Sequence, residues 1–129
     1  MTPDLWFLFA SIIFGVLHLG LSSMFSLRQL GASYILSDRS NERLPQGLAG
    51  RIARAYRNWL ESFAQFAAAL FLVHTAGMPS SLAAIGAALF FIGRALYLPA
   101  YAFAPAGWRP ACWMLAQFGI LIILADLFV

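Results

Sequence analysis

Apolar residues run along this chain in four long stretches, roughly Leu5–Leu27, Tyr56–Ala76, Ser80–Phe103 and Ala111–Val129, punctuated by Pro, Gly, Ser and charged residues. A helix that crosses a bilayer needs about 20 predominantly apolar residues, and each stretch has that length or nearly so. Alternation with a period of two is absent, so helices are the spanning solution that remains. The pattern predicts an all-α integral membrane protein, one domain over residues 1–129 built as a four-helix bundle. The helices are expected at about 4–28, 50–76, 80–103 and 108–129.

The second stretch departs from uniform apolarity. Its apolar part, Ser62 to Ala76, is too short to span alone. To cross, the helix must begin near Tyr56, which draws Arg57, Asn58 and Glu61 inside the membrane boundary. Ionisable groups at that depth are costly and usually mark a site. The first stretch lacks a basic n-region, opening Met1-Thr2-Pro3-Asp4, and its apolar run is too long for a secretion signal, so it reads as a retained helix.

Composition agrees. The chain is 62% hydrophobic and 10% charged, whereas a soluble domain has about a quarter of its residues charged. All eight basic residues are arginines. Arg28, Arg39, Arg43, Arg51, Arg54 and Arg57 lie in or beside the first loop and Arg109 in the third, while Thr75-Ala76-Gly77-Met78-Pro79 carries no charge. Asp4 and Asp126 sit near the termini. The positive-inside rule then places the first and third loops in the cytoplasm and both termini outside. This clustering at one membrane face accounts for the pI near 9.6 without nucleic acid. Cys112, the single cysteine, excludes an internal disulfide.

Ser37 to Gly47 is the one long polar loop, and Gly77-Met78-Pro79-Ser80 is a short turn joining an antiparallel hairpin. That hairpin permits a count of depth at about 1.5 Å per residue. Back from Ala76, Glu61 lies about 15 residues deep, Asn58 about 18 and Arg54 about 22; forward from Ser80, Arg94 lies about 14, Tyr97 about 17 and Tyr101 about 21. Glu61 is thus expected level with Arg94, Asn58 with Tyr97, and Arg54 with Tyr101. Arg54, Asn58, Glu61 and Gln65 also share one face of their helix, as do Arg94, Tyr97 and Tyr101. Pro99 is expected to bend the third helix near its cytoplasmic end.

Each residue has a plainer reading. Arg51 suits an arginine snorkelling to the interface. Arg54 and Arg57 are better explained as ligand contacts, because Asn58 and Glu61 continue their polar surface inward, and guanidinium binds carboxylates in a bidentate fork. Glu61 and Arg94 are equally consistent with a structural ion pair and with a ligand role. Tyr101 fits an interfacial aromatic belt, Tyr97 less well. Arg109 is either a snorkelling arginine or a guanidinium that stabilises a thiolate. His18, His74 and Cys112 show no ligand spacing, so no metal is expected. Ser22 and Ser23 have no recognisable base, and no glycine-rich phosphate loop is present.

Arg54-Ala55-x-x-Asn58-x-x-Glu61, with Arg94-x-x-Tyr97-x-x-x-Tyr101 and then Arg109, resembles the membrane-associated proteins in eicosanoid and glutathione metabolism (MAPEG). Among these are microsomal glutathione transferases, leukotriene-C synthase and microsomal prostaglandin E synthase. Gly47-Leu48-Ala49-Gly50-Arg51 and Tyr97-Leu98-Pro99-Ala100-Tyr101 are most similar to the prokaryotic branch. The resemblance covers nearly the whole chain. It implies a homotrimer in a bacterial inner membrane, binding glutathione at each subunit interface on the cytoplasmic side. By position it implies that Arg54, Asn58 and Glu61 hold glutathione's polar groups, with Arg57 matching a contact of the prostaglandin synthase only. Arg94, Tyr97 and Tyr101 would add contacts from the third helix, Arg28 would come from a neighbouring subunit, and Arg109 would be catalytic through the thiolate.

Two departures from the family stand out. Pro110 follows Arg109 where the prostaglandin synthase has a serine, which argues against that isomerase chemistry. Ser62 follows Glu61 where leukotriene-C synthase has a tyrosine, which loosens the transfer of its substrate. The implied function is a membrane glutathione transferase, with or without peroxidase activity, acting on hydrophobic electrophiles from the bilayer. The alternative is a non-catalytic lipid- or glutathione-binding scaffold, which would not need a thiolate-stabilising arginine. A transporter is disfavoured because four helices lack the inverted repeat and broken helices of that class.

Overall fold

A computed structural model of the chain describes all residues except Arg39, Met78, Ala106 and Val129. The loop arginine Arg39, the turn residue Met78, Ala106 ahead of the last helix and the last residue expected of that helix lie outside the described residues. All regular elements among the described residues are helical: α1 (Pro3–Leu30), α2 (Ala32–Ile35), α3 (Gly47–Thr75), α4 (Ser81–Phe103) and α5 (Trp108–Ala125), which runs on into a 3-10 turn (Asp126–Phe128).

The boundaries follow local chemistry. Pro3 stands in the first turn of α1, where a missing N–H costs nothing, and Asp4 beside it faces the positive end of the helix dipole. The α1 helix ends where Gly31 takes φ +84°, closing the last turn through its N–H to the Leu27 carbonyl. The α3 helix starts at Gly47, earlier than expected, because its arginine-rich head is amphipathic. Ala49, Ile52, Ala55 and Trp59 are buried while Arg51, Arg54 and Arg57 are exposed. Gln29 and Gln46 fasten the two flanks of the long loop, the Gln46 amide donating to Gln29 Oε1 at 2.7 Å. The α4 helix continues through Pro99 for a further turn to Phe103.

Three helical pieces are long and apolar enough to cross a membrane: Pro3–Leu30, Ser81–Phe103 and Trp108–Phe128. At 29 residues α3 has the length, but Arg51, Arg54, Arg57, Asn58, Glu61 and Gln65 deprive it of the uniform apolarity of the others. Large apolar side chains such as Val16, Leu17, Phe71, Phe118 and Leu121 point outward, as a lipid solvent allows and water does not. The chain has the character of a membrane protein.

Inside, α4 packs most extensively on α5, α1 lies against α3 and α4, and α3 also reaches α5. Phe66, Leu70 and Val73 of α3 meet Ala83, Ala87 and Phe90 of α4 and Ala116, Ile120 and Ile123 of α5. The Phe66 and Phe90 rings stack at 3.9 Å. The α4–α5 contact is backbone-close: a Cβ added at Gly93 would stand 2.8 Å from both the Cys112 carbonyl oxygen and the Ala116 nitrogen. Small residues permit such approach where lipid supplies no hydrophobic drive between helices.

Asp4 and Asp126 are not the free terminal charges their position suggests. Both are buried. Asp4 bonds His74, joining the start of α1 to the end of α3. Asp126 accepts from the Ser80 hydroxyl and from the Ser80 amide at 3.1 Å, while the same hydroxyl caps α4 by accepting from the Leu82 amide at 3.0 Å. Asp126→Ala should therefore free an N-cap and leave two donors without an acceptor. The expected loss is about 1–3 kcal/mol, read as a lower thermal midpoint of the protein in detergent. An unchanged midpoint would refute the clasp.

Candidate functional site

The arginine-rich end of the helices gathers polar groups from three elements. The α3 helix presents Arg54 and Asn58 one turn apart, α4 presents Arg94, Tyr97 and Tyr101 along one face, and the first turn of α5 presents Arg109. The Arg54 Nε donates to the Tyr101 hydroxyl at 3.3 Å, at the level where the hairpin count placed the two together.

Arg94 departs from that count. It is expected level with Glu61, but its guanidinium donates to Asn58 Oδ1 at 3.0 Å and lies 4.5 Å from the centre of the Tyr97 ring. The side chain bends toward the polar end, as a buried guanidinium does when a membrane-like interior lies in the other direction. Among the described residues the one acid–base contact within 4.0 Å joins His74 to Asp4, so Glu61 and Arg94 do not pair directly. Glu61 is exposed on the outward side of α3.

Tyr101 is shared. Beyond its bond from Arg54, its ring carries the Arg109 guanidinium at 4.8 Å, and it lies 5.6 Å from the Tyr97 ring. Asn58, Arg94, Tyr97, Tyr101, Arg54 and Arg109 thus form one connected set in which three cations meet an amide and two phenols, and no carboxylate bonds them among the described residues. Each ring contact is worth about 0.5–2 kcal/mol, which orders the guanidiniums without neutralising them. Arg109 also sits in the first turn of α5, at the positive end of that helix's dipole. Asn58, Tyr97, Arg109, Pro110 and Trp113 line a cleft of about 330 Å³ here. On the other side of the same turn of α5, Leu96, Pro99, Ala100, Phe103, Trp108 and Cys112 line an apolar groove of about 400 Å³. The arrangement can hold an anionic, hydrogen-bonding ligand next to an apolar one.

The remaining expected residues lie elsewhere in the single chain. Arg57 and Glu61 occupy the exposed side of α3 and Arg28 the exposed last turn of α1; none lines the cleft. Trp113 does line it and was not anticipated. Its spacing, one turn after Arg109 on the same helix face, was the available signal, but an aromatic near a helix end reads equally well as part of an interfacial belt.

Comparison with known proteins yields no match among curated proteins or among solved structures. A family model does match, the MAPEG family, over residues 7–129. The match takes in α1 from residue 7 onward, the other three long helices and every residue of the connected polar set, and the chain belongs to the MAPEG family.

Proposed function

We propose that this protein is a membrane-bound glutathione-dependent transferase that conjugates glutathione to hydrophobic electrophiles, with peroxidase activity as a companion reaction. Its family includes glutathione transferases and related proteins. The observation that carries the reading is the convergence of Arg54 and Arg109 on Tyr101, near the buried Arg94, with no carboxylate bonded to them among the described residues. A tripeptide with two carboxylates, two amides and a thiol supplies the anionic and hydrogen-bonding groups that such a set lacks.

In this reading Arg54 takes a glutathione carboxylate in its fork, while Arg94, Asn58, Tyr97 and Tyr101 meet the remaining carboxylate and the amides. Glu61 is reserved for the ammonium. Arg109, at the positive end of α5, stabilises the thiolate and so makes loss of the thiol proton to water favourable near neutral pH. Carbon–sulfur bond formation then proceeds as the electrophile's leaving group departs with its electron pair. With a hydroperoxide, the same thiolate attacks the terminal oxygen, the O–O bond breaks, the alkoxide takes a proton from water, and the glutathione sulfenic acid so formed condenses with a second glutathione to give the disulfide and water. The apolar groove beside the cleft favours electrophiles that partition into lipid.

A homotrimer belongs to the same proposal. Arg57, Glu61 and Gln65 are exposed along α3 together with Ala64 and Ala68. If α3 spans as the fourth membrane helix, that polar strip needs cover from another copy, and small residues suit close packing. Such a neighbour would bring Arg28 and complete the set with Glu61 and Arg57. A transferase-like member of the prokaryotic branch, in a bacterial inner membrane with this end in the cytoplasm, accords with the arginine distribution.

Titrating the purified protein with glutathione while following thiolate absorbance tests the reading. A saturable rise in thiolate is the expected result. Binding without thiolate would favour the glutathione-binding scaffold, and absence of binding would overturn the transferase and leave only the lipid-binding scaffold.

A further inference from the structure

Five buried side-chain polar atoms among the described residues have no hydrogen-bond partner: Ser11 Oγ, both ring nitrogens of His18, Trp59 Nε1 and Arg94 Nε. Buried polar atoms in a native fold are nearly always satisfied, by protein or by ordered water. Four of these five atoms belong to three residues that meet where α1, α3 and α4 come together. The Trp59 ring fills the space a Cβ on Gly15 would need, at 2.1 Å, so α1 and α3 are in contact there. His18 follows Gly15 by one turn on the same face of α1. Its ring lies 5.3 Å from Tyr56, which stacks on Trp59 at 5.9 Å. From α4, Arg94 reaches α3 at Asn58, the residue next to Trp59, through its 3.0 Å bond, and its charge faces His18. His18 and Arg94 are each 2% exposed.

We infer that ordered water is held between α1, α3 and α4, behind the Arg94–Asn58 bond, and that His18 anchors it and thereby acts as a positioning residue for Arg94. Donor and acceptor counts favour water over direct pairing. A neutral imidazole offers one donor and one acceptor, while the Trp59 indole and Arg94 Nε are donors only. With the imidazole N–H turned toward the Ile52 backbone carbonyl, two donors, the Trp59 indole and Arg94 Nε, face one ring acceptor and cannot both be satisfied directly. A water oxygen accepts from both and donates to the remaining imidazole nitrogen. Buried waters typically make about three such bonds.

The consequence falls on the cleft. A guanidinium is planar, so holding Nε from behind while one terminal nitrogen bonds Asn58 fixes the plane that faces Tyr97. The positioning role rests on the glutathione reading above; the water itself does not.

The test uses the full chain in lipid nanodiscs with isotope-labelled tryptophan, the Trp59 indole signal being assigned by its loss in Trp59→Phe. The wild type should show magnetisation transfer from a long-lived water to the Trp59 indole N–H. His18→Phe should abolish that transfer and raise the glutathione KM about fivefold, the loss of one modest hydrogen bond, with kcat little changed. His18→Gln, which restores a donor and an acceptor, should recover both readouts. A wild-type indole with no water contact would overturn the inference, as would His18→Gln and His18→Phe behaving alike. A Trp59 signal that tracks chloride concentration would assign the space to an anion and overturn it too. A water contact in a protein that binds no glutathione would support the water site while removing the transferase reading.

Discussion

Arg109→Ala is expected to lower kcat for conjugation of glutathione to an aryl halide by about 10²–10³-fold, with glutathione still binding. The asymmetry follows from where the residue sits. Its guanidinium rests on the Tyr101 ring at 4.8 Å in the first turn of α5, whereas the Arg54 bond to Tyr101 and the Arg94 bond to Asn58 do not involve it. Binding contacts therefore survive the substitution, and what is lost is stabilisation of charge that develops on sulfur. A fall in kcat and kcat/KM by the same factor is the signature of an interaction used in the transition state. Arg109→Lys keeps the charge but not the planar fork or the ring contact, and should fall between the two. Equal turnover in wild type and Arg109→Ala would strip Arg109 of its assigned role. A KM effect alone would move it among the binding residues.

How far the sequence leads can be judged residue by residue. Long apolar stretches bounded by Pro, Gly and polar runs locate the four long helices because a single force, removal of apolar surface from water, writes their period along the chain. The Arg54–Tyr101 bond was legible for a simpler reason: a tight hairpin and a fixed rise per residue place two backbone positions at one depth. Arg94 was not legible by that route. Its side chain can reach a full turn along the helix axis, and which way it bends depends on the polarity above and below it. Asp4 with His74 and Asp126 with Ser80 lie 70 and 46 residues apart in sequence. No local pattern announces such pairs, and acids close to the termini look solvated until the helices are packed. The outward strip of Arg57, Glu61 and Gln65 is legible only as an exposed polar surface on α3.

Gly93→Leu is expected to damage the fold severely. A Cβ at this position already stands 2.8 Å from the Cys112 carbonyl oxygen and from the Ala116 nitrogen, and 3.1 Å from the Ala116 Cβ. Two of those three contacts are backbone, which no rotamer change can relieve, so α4 and α5 must separate along the most extensive helix contact in the molecule. Overpacking typically costs about 1–3 kcal/mol and more where backbone must move. A fall in the thermal midpoint on the order of 10 °C is expected for the leucine, and a smaller one for Gly93→Ala. Because Arg94 adjoins Gly93, and Arg109 and Trp113 lie within a turn of Cys112, the same displacement should open the cleft and weaken glutathione binding even where folded protein remains. The double variant Gly93→Ala with Ala116→Gly separates steric crowding from a general intolerance of substitution: it removes the Cβ–Cβ contact but neither backbone contact, so it should recover only part of the lost midpoint. Full recovery would mean that side chains, not the backbone, set the spacing of α4 and α5. An unchanged midpoint in Gly93→Leu would mean the two helices are not in backbone contact at all, and the placement of Arg109 of α5 over Tyr101 of α4 would fall with it.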